Sequence, residues 1–379
     1  PYGEHHYPFE NKETFDPERG RGFPADFIAE GLDQTRGWFY SLLVLAVALF
    51  GKTAYKNVIV NGLILAEDGR KMSKRLKNYP DPMEVMNEHG ADALRLYLLS
   101  SPVARGEDIN FSEKGVKEIQ NKIISRVENV LAFYELYPAE LQATSYKLPA
   151  DSHILDRWIL ARLGDLIAQV SFNMERYELD KATRPIAPFI DDLSTWYLRR
   201  SRERLKAADG AARHTLRFIL IELSKTAAPF LPFLAEELYR GVGGAKESVH
   251  LEEWPEHTFN SSMAQKIRLF FARFSGATDE CAILSDMESV RRIVSHGLLA
   301  RAKAGIRVRQ PLKELRIKND ELRIKKNDEL TALIKDEVNV KNVVFGVVMT
   351  DEVALDTEIT PELKKEGQVR ELIRAVQEL

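Results

Sequence analysis

The hydrophobic pattern of this chain changes near residue 110, and this change constrains the fold more than any other feature. Residues 23–102 alternate strand-like and helix-like stretches. Residues 38–50 are apolar enough for a buried helix, and residues 57–65 are β-branched like a buried parallel strand. Further along, apolar residues recur every three or four positions in long stripes. The pattern predicts an α/β layer followed by an all-α helix bundle.

A third pattern begins beyond residue 262. Helices near residues 289–304 and 330–337 alternate with strands near residues 306–317 and 342–348, which predicts a small α+β tail. A length of 379 residues is typical of two or three domains. We therefore predict three domains, at residues 1–110, 111–262 and 263–379.

Composition limits the kind of partner and compartment. The chain has 54 basic and 57 acidic residues, a net charge of −3, so any nucleic-acid site must be a local basic face. The single cysteine, Cys281, excludes an internal disulfide framework and metal sites built from several cysteines, and it predicts a cytoplasmic protein. The longest apolar run, residues 42–50, is shorter than the roughly 20 residues of a membrane span, so no membrane partner is expected.

A turn-rich basic segment, residues 66–80, follows the predicted strand, and we call it the lysine loop. Lys71 and Lys74 lie three residues apart after Gly69, with Ser73 between them, so they can place two charges on one polyphosphate. Ligands of open α/β sheets bind beyond the carboxyl ends of the strands. The alternative is a solvated surface loop, which most basic runs form.

Two basic segments are candidates for binding nucleic acid. Residues 196–206 interleave aromatic side chains with five basic residues and one acid, and such a face can pair with phosphates and stack on unpaired bases. Alternatively, Trp196 is a core residue and the arginines form a solvated face. The second segment runs from Arg301 and Lys303 to Arg307 and Arg309.

Ordered motifs in all three parts resemble the isoleucyl branch of the class I aminoacyl-tRNA synthetases. The run Lys71-Met72-Ser73-Lys74-Arg75 is similar to the lysine-rich loop of that superfamily, although Ser is more usual than Arg75. Residues 23–40, 191–202, 308–312, 339–341 and 360–367 resemble the isoleucyl branch, so the resemblance covers nearly the whole chain.

The superfamily's His-x-Gly-His motif, its editing domain and its first-half metal-binding elements are missing from this sequence. The resemblance therefore implies the carboxy-terminal portion of such an enzyme. Residues 1–110 would be the second half of a Rossmann-type catalytic domain, and residues 111–262 an anticodon-binding bundle. The implied activity is ATP-dependent activation of isoleucine and its transfer to the 3′ end of isoleucine tRNA. ATP with Mg²⁺ is the implied substrate, no metal site is expected in this portion, and a monomer is expected.

The resemblance also assigns roles to individual residues. Lys71 and Lys74 are the implied catalytic residues, and Trp38 is the implied wall of the isoleucine pocket. Contacts with ATP or the adenylate are implied for Glu30, Gly31, Asp33, Gln34, Met72 and Ser73. Contacts with tRNA are implied for Trp196, Arg199, Arg200, Arg202, Arg307 and Arg309.

Several alternatives stay open on the sequence. The whole-chain alternatives are a sibling valyl or leucyl enzyme, which the motif around Trp38 disfavours, and a tRNA-binding module without catalysis. Glu30 and Asp33 could instead stabilise the amino end of a helix, as carboxylates do. Trp38 could instead be a core residue.

Overall fold

A computed structural model describes residues 9–73, 75–138, 152–255, 279–318 and 322–377. The described chain divides into two compact units. The first unit contains residues 9–138 and 163–255, apart from residue 74, and the second contains residues 152–162, 279–318 and 322–377. No helix within these ranges is both long enough and apolar enough to cross a membrane.

The first unit begins with a βαβ element. Strands β1 (Ala25–Gly31) and β2 (Tyr55–Asn61) pair in parallel, and a 3₁₀ helix (Leu32–Arg36) and helix α1 (Trp38–Phe50) connect them. Helix α1 ends at Gly51, whose φ of +63° is the left-handed conformation that glycine adopts without strain. The element is the α/β pattern that the alternating sequence predicted.

A second, shorter parallel pair follows in the same unit. Strand β3 (Ile64–Leu65) pairs with β4 (Ile109–Asn110), and helices α2 (Pro82–His89) and α3 (Ala91–Leu99) and a 3₁₀ turn (Pro102–Arg105) lie between them in sequence. Gly62 permits this packing, because a Cβ atom there would lie 2.0 Å from the carbonyl oxygen of Glu107. The strand predicted at residues 57–65 is therefore interrupted after Asn61.

The burial predicted for α1 and β2 is wrong. Only Phe39 and Ala46 of α1 are buried, whereas Val44, Leu45 and others are exposed. Positions 56–58 of β2 are exposed as well. An apolar helix or strand is buried only where neighbours cover each of its faces, and the described sheet around β1 has two strands. The sequence records how apolar an element is, but not which neighbours cover it.

The rest of the first unit is helical. Its helices are α4 (Glu113–Ile119), α5 (Ser125–Leu136), the part of α6 (Ile154–Met174) from residue 163, α7 (Leu179–Thr183), α8 (Ile186–Asp191), α9 (Arg199–Lys206), α10 (Gly210–Ala227) and α11 (Pro232–Gly241). Two π-helical segments, Gln120–Ile124 and Asp192–Leu198, join α4 to α5 and α8 to α9. The predicted stripes are confirmed by burial at Ile123, Val127, Val130, Leu131, Tyr134, Leu163, Leu166, Ile167 and Val170.

The second unit is the predicted mixture of helices and strands. Its elements are the start of α6, α12 (Asp279–Lys303), β5 (Leu312–Ile317), α13 (Leu322–Lys325), α14 (Asp328–Val338), β6 (Val340–Phe345), β7 (Val353–Leu355) and α15 (Pro361–Gln377). The sheet order is β6-β5-β7, with β5 parallel to β6 and antiparallel to β7. The strand predicted near residues 306–317 begins only at Leu312. Strand β7 and helix α15 were not predicted.

Candidate functional site

The residues implied for the adenylate site leave the β1–β2 sheet at the edge where β2 also ends, and the chain continues from β2 through β3 to the lysine loop. Strands β1 and β2 run parallel, with Glu30 opposite Val60 and Gly31 opposite Asn61. Parallel strands end at a common edge, and that edge is where open α/β sheets bind ligands. Glu30 and Gly31 are the last residues of β1, and residues 32–34 follow directly; the lysine loop follows the short strand β3, which pairs with β4 in a separate sheet.

The 3₁₀ helix after β1 is organised by a chain of side-chain hydrogen bonds. Asp33 Oδ2 accepts from Gln34 Nε2 at 2.9 Å, and Gln34 Oε1 accepts from the backbone N–H of Trp38 at 2.9 Å. Gln34 therefore satisfies a free N–H at the start of α1, and Asp33 holds its amide in place. Glu30 and Asp33 are exposed, and neither carboxylate makes the hydrogen bond that caps α1.

Trp38 and Phe39 have different surroundings although they are adjacent. Trp38 is 54% exposed, whereas Phe39 is 5% exposed. The ring of Phe39 packs edge-on against Tyr55 of β2, whose hydroxyl donates to the Phe39 carbonyl at 3.0 Å. The core position at the start of α1 is therefore Phe39, and the Trp38 side chain lies at the surface.

The first part of the lysine loop is a tight hairpin. Leu65 and Lys71 form an antiparallel bridge, Ala66 N–H donates to the Arg70 carbonyl at 2.8 Å, and Gly69 turns the chain with a φ of +78°. Asp68 accepts from the backbone N–H of Arg70 at 3.0 Å and from its Nε at 2.7 Å. The hydrogen bond from the Arg70 side chain lowers the pKa of the Asp68 carboxyl.

Asn78 holds the second part of the loop. Its Oδ1 accepts from the backbone N–H of Ser73 at 2.9 Å, and its Nδ2 donates to the carbonyl of Lys71 at 3.1 Å. Lys71 is exposed, Met72 and Ser73 are half-buried, and Lys74 lies outside the described residues. Asn78 was not singled out from the sequence, although asparagine commonly bonds to nearby backbone in turns. Its two hydrogen bonds fix the backbone that carries Lys71 and Ser73.

A pocket of about 300 Å³ adjoins the lysine loop, because Glu67 of the loop is one of its lining residues. It is lined by Glu67, Glu88, His89, Glu113, Lys114 and Lys117. The possible ligand atoms of Glu88, His89 and Glu113 lie within 4.8 Å of one another, and His89 Nε2 is 3.2 Å from Glu113 Oε1. No sequence motif joins these residues. The two lysines in the pocket oppose a cation, and we assign no metal to it.

The first basic segment lies on a helix interrupted by the π-helical stretch Asp192–Leu198. Trp196 and Arg200 are half-buried, and Arg199 and Arg202 are exposed. π-helical turns within α-helices occur often at functional sites. The segment therefore combines the two alternatives drawn from the sequence, because the aromatic residue is partly packed while two arginines reach the surface.

Neighbouring side chains hold other members of this segment. The guanidinium of Arg202 lies 5.8 Å from the centre of the Phe133 ring, a cation–π distance. Arg204 Nε donates to Asp209 Oδ2 at 2.9 Å, and Lys206 lies 3.2 Å from Glu203.

The second basic segment is divided by burial. Arg301 is 1% exposed, and burial lowers the pKa of its guanidinium to about 10. The sequence suggested that Arg301 is part of a basic surface, and its burial shows that this prediction is wrong. Lys303, Arg307 and Arg309 are exposed. Charge alone cannot distinguish a structural arginine from a surface arginine, because the difference lies in the backbone carbonyls around it.

Two protein-family models match the chain. Residues 1–112 match the class I tRNA synthetases for isoleucine, leucine, methionine and valine, and residues 156–317 match the anticodon-binding domain of tRNA ligases. Among known proteins, the isoleucine–tRNA ligase of Chlamydia trachomatis serovar L2 is 44% identical over 354 residues. The isoleucine–tRNA ligase of Protochlamydia amoebophila is 41% identical over 364 residues.

These alignments cover most of this chain but only a small part of each relative. The alignments include 91% and 94% of this chain, but only 32% and 33% of the chlamydial and protochlamydial enzymes. The chain thus spans about one third of the length of these relatives. A solved ternary complex of Agrobacterium radiobacter LeuRS with tRNA and LeuAMS matches 62% of this chain and 29% of that protein, with a TM-score of 0.49 and 25% identity.

Proposed function

Because residues 1–112 match the class I tRNA synthetases and residues 156–317 match the anticodon-binding domain of tRNA ligases, we propose that this chain is part of an isoleucine–tRNA ligase. It would supply the lysine loop and the tRNA-binding domains. The observation that carries the proposal is the parallel pairing of β1 and β2, since it places residues 30–34 at the sheet edge from which the chain continues through β3 into the lysine loop.

The first reaction is the activation of isoleucine. A carboxylate oxygen of isoleucine attacks the α-phosphorus of ATP, the bond to the bridging oxygen of the β-phosphate breaks, and pyrophosphate leaves. Negative charge builds up on the phosphate oxygens, and Lys71 and Lys74 stabilise it. Mg²⁺ enters with ATP as part of the substrate. The other proposed contacts with ATP or the adenylate are Glu30, Gly31, Asp33, Gln34, Met72 and Ser73.

The side chain of isoleucine is proposed to pack against Trp38. The support for this role is the exposure of Trp38 at the start of α1, one residue from the packed Phe39. An apolar wall distinguishes isoleucine from valine by a single methylene, which is worth about 1–3 kcal/mol.

The second reaction transfers the acyl group to tRNA. A hydroxyl of the terminal adenosine attacks the carbonyl carbon of the adenylate, and AMP leaves. Isoleucine tRNA would contact the helical part through Trp196, Arg199, Arg200 and Arg202. It would contact the second unit through Arg307 and Arg309.

The finer architecture belongs to the same proposal. The βαβ element would be part of the second half of a Rossmann-type domain at residues 1–110. The anticodon-binding bundle would occupy residues 111–262, and the α+β domain residues 263–379. The ligase would be monomeric and cytoplasmic.

ATP–pyrophosphate exchange tests the activity directly. The ligase that contains this chain should exchange pyrophosphate faster with isoleucine than with valine or leucine. Equal exchange with all three amino acids would contradict the isoleucine assignment. Faster exchange with valine or leucine would favour the sibling enzyme.

A second candidate function is a tRNA-binding module without catalysis. It is favoured by one observation, that residues 156–317 match the anticodon-binding domain of tRNA ligases. Filter binding of the 379-residue chain to isoleucine tRNA, a mismatched tRNA and duplex RNA tests the binding common to both candidates. Binding should weaken steeply with salt, because each neutralised phosphate releases counterions. Arg199→Gln with Arg202→Gln should weaken it, and equal affinity for all three RNAs would contradict anticodon recognition.

A further inference from the structure

Two exposed arginines of the second unit, Arg307 and Arg309, lie on one tight turn. Gln310 N–H donates to the Arg307 carbonyl at 3.0 Å, which closes a β-turn over residues 307–310. Arg307 is the first residue of this turn and Arg309 the third. A turn of this kind holds both side chains close together at the surface.

The buried Arg301 fixes both ends of this turn. Its Nη1 donates to the carbonyls of Arg307 at 3.0 Å and Gln310 at 2.9 Å. Its Nε donates to Val338 and its Nη2 to Asn339, at 2.6 and 2.7 Å. One guanidinium thus ties the turn to the carboxyl end of α14. The fixed fork of donors on arginine suits this arrangement, whereas the single ammonium of lysine does not.

Further contacts fix the middle of the turn and bring α15 close to it. Asn339 Nδ2 donates to the Val308 carbonyl at 2.7 Å, and Gln310 Nε2 donates to the Leu363 carbonyl at 2.8 Å. Gly367 of α15 permits this approach, because a Cβ atom there would lie 2.4 Å from Gln310 Oε1. Glu371 follows one helical turn later and is thereby placed beside the arginines.

Arg307 and Arg309 converge on a single oxygen atom. The Nη1 atoms of both arginines lie 3.8 Å from Oε1 of Glu371. The side chain of Arg307 is 84% exposed and that of Arg309 is 46% exposed, so the Glu371 carboxylate contacts both arginines at the surface. At this distance the contacts are ion pairs without hydrogen bonds, and exposed ion pairs of this kind contribute little to stability. A stronger anion can therefore take the place of Glu371.

We propose that Arg307 and Arg309 together bind one backbone phosphate of tRNA, and that Glu371 occupies this site until the RNA displaces it. The inference rests on the proposed function, in which this chain binds isoleucine tRNA. A phosphate group offers several oxygens to two guanidiniums and forms charge-assisted hydrogen bonds with them. Arg301 is the positioning residue, because it holds the backbone of the turn without reaching the RNA.

The number of phosphates bound can be read from the salt dependence of affinity. Binding of the full chain to isoleucine tRNA is measured at several salt concentrations for wild type, Arg307→Gln, Arg309→Gln and the double variant. If both arginines bind one phosphate, the double variant loses about one unit of the log–log salt slope, and the single effects are not additive. A loss of about two units with additive effects would mean two separate phosphates and would overturn the shared site.

The role of Glu371 has its own test. Glu371→Gln should raise affinity by about three-fold to ten-fold at low salt, because it removes the competing anion. The gain should disappear when Arg307 and Arg309 are both Gln. Glu358→Gln removes the same charge from an exposed position of the same unit and should leave affinity within about two-fold of wild type. Equal gains in Glu371→Gln and Glu358→Gln would overturn the proposed displacement.

The outcomes separate this inference from the proposed function. If the wild-type chain binds none of the RNAs, tRNA binding itself is contradicted. If it binds tRNA and loses affinity in the Arg199→Gln, Arg202→Gln variant but not in the Arg307→Gln, Arg309→Gln variant, the proposed function stands and the phosphate site is overturned. A phosphate contact also requires that the Arg307 and Arg309 variants lose the same factor for isoleucine tRNA and for a mismatched tRNA.

Discussion

Arg301 donates a hydrogen bond of 2.7 Å to the backbone carbonyl of Asn339, 38 residues further along the chain. Asn339 ends α14 in the left-handed conformation, with a φ of 52°, and the last carbonyls of a helix lack partners within the helix. Arg301 donates to two of these carbonyls, at Val338 and Asn339, and to two more in the turn at residues 307–310. The carbonyls of Asn339 and Arg307 also accept from the backbone N–H groups of Leu312 and Gln310. Arg301, which the sequence suggested to be a basic surface residue, is thus a buried side chain that links two segments of backbone.

Replacing Arg301 should destabilise the second unit. Arg301→Met leaves four backbone carbonyls without this donor, and we expect a loss of about 3 kcal/mol or more in the free energy of unfolding. Arg301→Lys should lie between wild type and Met, since an ammonium cannot span the four acceptors. Urea unfolding of the full chain measures both. Lys303→Met, an exposed change on the same helix, is the control and should stay within about 0.5 kcal/mol. Equal effects at both positions would contradict the role of Arg301.

The lysines of the loop should affect chemistry rather than tRNA affinity. Lys71→Ala and Lys74→Ala in the ligase should each slow adenylate formation by about 10²-fold, because each removes a charge that stabilises the transition state. ATP–pyrophosphate exchange measures this rate, and filter binding measures tRNA affinity. Lys56→Ala, which changes an exposed lysine of β2, should leave both unchanged. Exchange at the wild-type rate in Lys74→Ala would remove that residue from the catalytic assignment.

Asn78 should control the rate through the position of the loop. Asn78→Ala removes the hydrogen bonds to Ser73 N–H and the Lys71 carbonyl, and we expect a decrease of about 10-fold in the exchange rate from misplacement alone. Asn78→Asp keeps the acceptor for Ser73 but loses the donor to Lys71, so its exchange rate should lie between those of wild type and Asn78→Ala. Circular dichroism should show an unchanged fold. A wild-type rate in Asn78→Ala would show that the loop does not need this support.

Adjacent residues at the start of α1 should behave differently. Trp38→Ala should raise the KM for isoleucine and reduce the preference for isoleucine over valine, because an apolar wall is lost. Phe39→Ala should instead lower stability by about 3–5 kcal/mol, as expected for a buried aromatic residue. Tyr40→Ala, which is exposed, is the matched control for Trp38. Unchanged KM and unchanged preference in Trp38→Ala would exclude Trp38 from the pocket.

Asp92 should make stability depend on pH. Its Oδ2 accepts from the Leu234 N–H at 2.7 Å, and burial raises the pKa of its carboxyl. A carboxyl with a raised folded-state pKa destabilises the fold at neutral pH, and this penalty disappears as pH falls through that pKa. Asp92→Asn keeps an oxygen acceptor without the charge. The thermal midpoint of Asp92→Asn minus that of wild type should therefore increase as the pH is raised from about 4 to about 7.

The control for Asp92 is Glu84→Gln, which removes a carboxylate from the exposed side of α2. Its thermal midpoint relative to wild type should not rise with pH in the same way. If the Asp92→Asn midpoint falls relative to wild type as pH increases, then the charged form of Asp92 stabilises the fold and the assigned sign is wrong.

Helix positions and helix faces followed from the sequence because they depend on local spacing. The stripe at Ile123, Val127 and Val130 and the stripe at Leu163, Leu166 and Val170 are buried as predicted, since a 3.6-residue period places such side chains on one face. The lysine loop was located for a similar reason, because turn residues and lysines are grouped within a few positions.

Burial and partners were decided only by the tertiary structure. The apolar helix α1 is largely exposed, and the charged Arg301 is almost fully buried. Asn78, the pocket around His89 and the contact of Arg307 and Arg309 with Glu371 likewise carried no motif. The physical reason is that a local pattern fixes which way a side chain points, whereas the free energy of burying that side chain depends on atoms brought close from distant parts of the chain. Arg301 is stable in the interior because the folded chain supplies four carbonyl oxygens at hydrogen-bond distance, and three of those carbonyls, at Gln310, Val338 and Asn339, lie between 9 and 38 residues away.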